Sequence, residues 1–515
     1  MSARAWSSRL LGCCGLVLLT SACGGAPPPV PPPAPPPPAA APPVPSVPAD
    51  PLGPEPQPTL GAPFKPPAPA VYTTANGMQV WLLERHALPV LAITVVVPSG
   101  ASSDPKGQAG LAEETAEMLR EGAAARGALD FARAIDDLGA SISSSSSMDA
   151  SYVRLSVLKR GFAAGMQLLG DAVARPRMDA GEWRRLHDLW TNDLKARAAD
   201  PGEVAACVER IALYGVDHPY GHPVDGFLTS APKVQLADAK RFYAQAWRPD
   251  RAIVVVVGDV TRSELDAQLD ASLGTWKAPA APPLPIVTPP VPSSLGDGGK
   301  PRLVLVDRAD APQAQVYAAW PGVAASDPRY PALYRANIAL GGGFTSRINL
   351  DLREKRGWTY GASSAIGAKR GLGVVSAGGA FVTPNAVDAL KAMLADVDLL
   401  AKSGMTEAEV AKTRLQSRAE YVDDYERVEH AAAQLAHDAG LGLSPDYEAT
   451  ASVAADRADA TELNQLLKTF FDRAPAAIVI VGPRAKLEGP LTQAGYGPIE
   501  LMDAEGNPVP AKGTK

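Results

Sequence analysis

Ser103-Asp104-Pro105 returns downstream as Ser326-Asp327-Pro328, and the recurrence reaches well beyond the tripeptide. Glu84-Arg85 and Pro98 precede the first copy as Asp307-Arg308 and Pro321 precede the second, all at one offset (307 − 84 = 223). Further on, Val257-Gly258 matches Val481-Gly482 at almost the same offset (481 − 257 = 224). An offset held over so long a span predicts two duplicated domains sharing one fold. The chain's 515 residues agree, being too many for one hydrophobic core.

Each copy interleaves strand and helix signals. In the first, Asn76-Gly77 marks a hairpin turn between apolar segments. Residues 91–97 are β-branched and read as a buried strand, and residues 151–158 alternate as another. Residues 111–120 have helical apolar spacing, residues 180–199 form a helix stopped by Pro201, and residues 252–257 form a strand ending at Gly258. Hairpins mixed with helices predict an α+β fold, with a mostly antiparallel sheet flanked by helices in each domain. The run Ser143 to Ser147 reads as a solvated strand or loop rather than a nucleophile site.

Proline clusters place the boundaries. Residues 23–69 are dominated by proline and alanine and are expected to form an extended, partly polyproline tether. Residues 279–301 form a second proline-rich linker, which leaves domains at 70–278 and 302–505 and a tail at 506–515. The net charge of −6 comes with no basic block, which argues against a nucleic-acid partner.

Residues 1–22 read as an export signal, with Arg4 and Arg9 ahead of an apolar run too short for a permanent span. Ser21-Ala22-Cys23 resembles a bacterial lipobox, with Thr20 where leucine is usual; cleavage as an ordinary signal peptide near Ala22 is the alternative. Gly24 follows the cysteine, and the resemblance then points to lipid anchoring at Cys23 in the outer membrane, facing the periplasm. Cys13 and Cys14 also lie in the signal, so the folded part keeps only Cys207 and has neither an internal disulfide nor a cysteine metal site.

Gly110-Leu111-Ala112-Glu113-Glu114-Thr115-Ala116-Glu117-Met118-Leu119 resembles the inverted zinc helix, G-L-A-H-x-x-E-H-M-L, of the pitrilysin/insulinase metallopeptidases. His218-Pro219-Tyr220-Gly221 with Pro223 and Gly226, Trp247-Arg248-Pro249, and Leu352-Arg353-Glu354-Lys355 with Gly357 and Tyr360 follow in that family's order. The zinc motif itself is degenerate. Glu113 and Glu117 stand where the family has its two histidine ligands, Ala116 where it has the general base, and Asp193 is the best candidate for the third ligand position. Zinc favours nitrogen and sulfur donors, so no zinc is expected in this chain, and a missing base costs roughly 10²–10⁴-fold in hydrolysis. Glu113 and Glu117 remain open to three readings: a solvated acidic helix face, a divalent-cation site completed by Asp193, or a shared-proton or ion-paired cluster. His218 and His222 read as loop histidines, and His86, His187, His430 and His437 fall in no ligand motif.

The resemblance implies roles in the second domain. Arg353 and Tyr360 occupy the positions at which the family binds the substrate backbone and the oxyanion; alone they would read as a helix-end arginine and a core tyrosine. Gly341-Gly342-Gly343 resembles the glycine-rich loop of non-catalytic subunits and is expected to form a flexible flap; no Gly-Lys-Ser/Thr follows to make it a phosphate loop. The chain is thus similar to the alpha subunit of mitochondrial processing peptidase. That implies a non-catalytic subunit binding a peptide or unfolded protein, paired with an H-x-x-E-H subunit that supplies zinc. Alternatives are a stand-alone envelope binding or scaffold lipoprotein and a hydrolase using a non-zinc metal at an all-carboxylate site. The lipobox generates the first test: Cys23→Ser should move the protein from the membrane to the soluble fraction, and retention of the variant on membranes would contradict anchoring at Cys23.

Overall fold

Two six-stranded sheets carry the structure, a computed structural model describing residues 61–292, 300–472 and 474–510. The signal segment, Cys23 and most of the tether lie outside the described residues. The first sheet contains β1 (Ala70–Thr73), β2 (Gln79–Glu84), β3 (Val90–Val97), β4 (Ser141–Ser146), β5 (Ser151–Leu158) and β6 (Ile253–Gly258), in the order β1-β2-β6-β3-β5-β4. Only the β2–β6 pair is parallel. The second contains β7 (Arg302–Asp307), β8 (Gln313–Pro321), β9 (Ala362–Gly367), β10 (Val374–Val382), β11 (Ala477–Gly482) and β12 (Ile499–Met502), in the order β12-β7-β11-β8-β10-β9. Here β7 is parallel to both β11 and β12.

The duplication read from the sequence is a duplication of these sheets. β2 and β7 start 223 residues apart (302 − 79), and β6 and β11 start 224 apart (477 − 253). The outermost strands break the symmetry: β1 precedes β2 and runs antiparallel to it, whereas β12 comes from the far end of the chain and runs parallel to β7. Asn76-Gly77 makes the predicted β1–β2 turn, with Gly77 at a φ of +96° that its lack of a Cβ permits.

The central strands are apolar on both sides because both sides are covered. Leu82, Ile93, Val95, Val254 and Val256 face a core closed by helices of the same half, including Phe162–Ala174 and Ala180–Ala199. Their alternates Trp81, Leu83, Val96, Val255 and Val257 face helix Val428–Leu441, which comes from the second half. The second sheet is covered reciprocally: Val304, Val306, Val479 and Val481 meet Val204, Ala205, Val208 and Ala212 of helix Pro201–Tyr214 from the first half. Each fully buried valine or leucine here contributes roughly 1.5–3 kcal/mol. The alanines let helix and sheet approach closely. At Gly440 the approach is closest, since a Cβ there would stand 2.4 Å from the Tyr152 hydroxyl.

A buried polar seam runs beside this exchange. The Tyr220 hydroxyl donates to Asp149 Oδ1 at 2.7 Å and accepts from Gly371 N at 2.9 Å. Arg370 donates from its backbone to Asp149 Oδ2 at 2.9 Å, and from its guanidinium to Asp149 O at 2.9 Å and Gly440 O at 2.6 Å. The His218-Pro219-Tyr220-Gly221 segment therefore ties the halves together. His218 is a loop residue bonded through Nε2 to Pro290 O at 2.9 Å, and His222 is buried against Pro223 O at 2.9 Å.

Candidate functional site

The degenerate motif lies on helix Leu111–Met118, and its neighbours fix that helix tightly. Gly110 precedes it at φ +100°, and a Cβ there would come within 2.5 Å of the Trp190 ring. The Asp104 carboxylate caps the first turn, accepting from Gly110 N and Ala112 N at 2.8 Å each. Leu111, Ala112, Ala116 and Met118 point into the first core. The general-base position thus holds a methyl group fully committed to packing.

The ligand positions do not converge. Glu113 accepts a hydrogen bond from the backbone N–H of Ser146, the last residue of β4. Glu117 pairs with Arg120, whose Nε donates to it at 3.0 Å. Asp193 is exposed on helix Ala180–Ala199. Among the described residues no three His, Cys, Asp or Glu side chains are grouped to hold a metal ion. The donor set therefore does not fit the family's zinc, and the all-carboxylate cation site is corrected as well: one carboxylate is spent on a strand, one on an arginine, and one faces water.

Glu113 and Glu117 are each half-buried, and the residue between them that motif matching passes over is the more enclosed. Glu114 is 6% exposed. Burial pushes its carboxyl up to about 9, with Glu113, Glu117, Asp225 and Asp193 adding repulsion. Burial likewise lifts Glu113 to about 7; the Ser146 N–H opposes the shift, while Glu117 and Asp225 reinforce it. Glu114 thus keeps its proton at neutral pH. Glu117 is ion-paired with Arg120, while burial raises the proton affinity of Glu113 and Glu114.

Beside this helix, β4 is an edge strand with no partner beyond it among the described residues. The Ser146 N–H points away from β5, since Glu113 takes it. Backbone direction alternates along an antiparallel strand, so the N–H and C=O groups of Ile142 and Ser144 also face the free edge. The serine run is therefore a strand, as its composition allowed, and it presents backbone to whatever lies outside.

The second-half residues form a separate group. The Arg353 guanidinium stacks 4.5 Å from the centroid of the Phe344 ring and lies 3.3 Å from Glu354. Tyr360 is 91% exposed, which removes the core-tyrosine reading. Asn349 holds the segment by donating to Phe344 O at 2.6 Å and accepting from Ala362 N at 3.2 Å. Gly341 is buried, and a Cβ there would stand 2.2 Å from Ser364 N, so its glycine serves close packing against β9. Gly342 is exposed and Gly343 rests near Gln416, which leaves Phe344, 65% exposed, as the side chain this loop presents. Phe344 carried no sequence signal beyond its place after the glycines. No hydrogen bond, ion pair or ring contact joins Arg353 or Tyr360 to the Glu113 group among the described residues.

The raised carboxyl of Glu114 has a pH consequence. Below its ordinary value of 4.5, folded and unfolded chains are both protonated, and Glu114→Gln should be nearly neutral. As pH rises toward 9, the unfolded glutamate ionises while the folded one holds its proton. The wild type then loses up to about 1.4 kcal/mol per pH unit that the variant keeps. Denaturant unfolding of both proteins at pH 5 and pH 8 should show Glu114→Gln gaining stability relative to wild type at the higher pH. An unchanged gap would contradict the buried, protonated state.

Comparison with known proteins places this geometry in a family. Residues 80–206 match insulinase (peptidase family M16), and residues 233–417 match the peptidase M16 inactive domain, together more than half of the chain. An uncharacterized zinc protease of Mycobacterium tuberculosis is 27% identical over 358 residues, covering 68% of this chain and 79% of that protein. A non-peptidase homolog of Helicobacter pylori is 24% identical over 190 residues, 37% of this chain and 44% of its own. The peptidase M16 inactive domain from Pseudomonas fluorescens shares the fold with a TM-score of 0.72 at 24% identity, covering 81% of this chain and 98% of its own. A Helicobacter pylori protease does so at 0.74 and 18%, covering 82% and 100%. The sequence matches and the two duplicated sheets agree: this chain belongs to the insulinase, or M16, peptidase family.

Proposed function

We propose that this chain is the non-catalytic, substrate-binding subunit of a two-chain zinc peptidase, anchored by lipid at Cys23 in a bacterial envelope. The observation that carries the reading is the contrast between its two groups of residues. The motif helix has neither zinc donors nor a base, while the features that would hold a peptide are present and accessible. An extended peptide can add to the open edge of β4 through main-chain hydrogen bonds, a mode that needs no particular side chains in the ligand. Arg353 and Tyr360 supply a guanidinium and a phenol, both donors suited to a carbonyl that gains negative charge. Zinc and the general base come from a partner with an intact H-x-x-E-H helix, which completes the site. The match of residues 233–417 to an inactive domain and the likeness to a protein named a non-peptidase homolog support a role without catalysis of its own.

Capture of the native lipoprotein from membranes tests the pairing, since an H-x-x-E-H peptidase chain should co-purify. In that reconstituted pair, Tyr360→Phe should lower turnover by about 10²–10³ with little change in apparent substrate affinity, as loss of an oxyanion donor does. Arg353→Ala should lower turnover and weaken substrate binding. Full activity of both variants in a verified pair would show that neither residue meets the substrate.

A further inference from the structure

Arg353 and Tyr360 sit on one loop, and a single buried side chain closes it at both ends. The loop leaves Asn349 through a wide helical turn, Leu350–Lys355, which carries Arg353. It reverses at Gly357, at a φ of +64° that glycine allows, and enters β9 just after Tyr360 and Gly361. Gly357 N donates to Arg353 O at 3.0 Å, and Trp358 N donates to Leu352 O at 3.1 Å, so turn and reversal are tied together. The Tyr360 side chain has no hydrogen bond, ion pair or ring contact among the described residues, so the backbone alone places it. Asn349 is 5% exposed, and both ends of its amide are engaged. Its Oδ1 accepts from Ala362 N at 3.2 Å, two residues past Tyr360. Its Nδ2 donates to Phe344 O at 2.6 Å, and the Phe344 ring is the surface on which Arg353 stacks. Lys412 Nζ steadies the next residue by donating to Thr345 O at 2.8 Å. The amide thus reaches the base of both donors, through one strand N–H and one loop carbonyl.

We propose that Asn349 is a positioning residue, fixing the separation and direction of the Arg353 guanidinium and the Tyr360 phenol so that both meet one peptide carbonyl. The inference rests on the reading that these two donors serve a developing oxyanion. Asn349 itself is too enclosed to touch substrate and acts through its two ties. The tie to Ala362 sets where β9 begins, and hence where the Tyr360 backbone stands. The tie to Phe344 holds the ring beneath Arg353. An amide carries its donor and its acceptor on separate atoms, which is what two ties in different directions require. Aspartate keeps the acceptor and loses the donor; alanine loses both. A group displaced by about 1 Å from its productive place can cost roughly 10²-fold in rate. A residue that sets such a spacing therefore shows in turnover before it shows in substrate affinity.

The test is a mutant cycle in the reconstituted pair, with turnover and apparent substrate affinity measured separately. Asn349→Ala should lower turnover about tenfold or more, while apparent affinity changes by less than about threefold. Asn349→Asp, which keeps the acceptor for Ala362 N, should lose less. On the Tyr360→Phe background the Asn349→Ala loss should shrink to about threefold or less, since residues that act as a unit are not additive. The same loss on both backgrounds would overturn positioning, because a residue that only stabilises the fold or the pairing costs the same with or without the phenol. Full activity of Asn349→Ala, in a pair that Tyr360→Phe impairs, would overturn it too and leave the two donors standing. Full activity of Tyr360→Phe would overturn the reading of the site, and this inference with it. If Asn349→Ala fails to fold, Asn349→Asp takes its place in the cycle, and the same outcomes decide.

Discussion

Each half of the chain lends a helix to the other half's sheet, and the rest of the structure hangs on that exchange. Helix Val428–Leu441 covers Trp81, Val96, Val255 and Val257, and helix Pro201–Tyr214 covers Val304, Val306, Val479 and Val481. Central strands so rich in valine, isoleucine and leucine cannot tolerate water on either face. Among the described residues neither sheet has a helix of its own half on that second face, so each half depends on the other for burial. The polar seam of Asp149, Tyr220 and Arg370 satisfies the backbone where the halves meet, including Gly440 O at the end of the exchanged helix. Among the described residues the first sheet has two outer strands, β1 and β4, and β4 is the one beside the motif helix, whose Glu113 takes the Ser146 N–H.

The motif helix shows how the fold holds at this position without the family's two histidines. Its supports are independent of any ion: the Asp104 cap, the glycine demanded by Trp190, and the packing of Leu111, Ala112 and Ala116. The acidic residues that replaced the histidines are neutralised locally, Glu113 by a backbone N–H and a raised proton affinity, Glu117 by Arg120. A buried carboxyl that keeps its proton costs far less than a buried charge. The helix therefore keeps its place against β4 and β5 while the chemistry changes.

Much of this was legible in the sequence, for identifiable reasons. The 223-residue repeat predicted the paired sheets because β2 and β7 obey the same burial pattern, and the β-branched runs at 91–97 and 252–257 became central strands. The degenerate motif could be read residue by residue. The helix exchange could not, because an alanine-rich amphipathic helix does not say which sheet it covers. Glu114 was missed because motif matching looks at ligand positions and ignores the residues between them. The cation-site reading of Glu113, Glu117 and Asp193 failed for a related reason, since spacing on a helix shows which side chains share a face and not what stands opposite. Gly341 was read as a source of flexibility, whereas β9 lies against it.

The claim underlying all of this is that the protein keeps the fold of a zinc peptidase and has given up its metal and base. The most direct measurement is metal content and turnover on the same sample: elemental analysis of the chain purified alone, with a quenched unfolded peptide as substrate. The account predicts zinc far below one equivalent and no cleavage that a chelator can abolish. Zinc near one equivalent, with chelator-sensitive turnover by this chain alone, would contradict it.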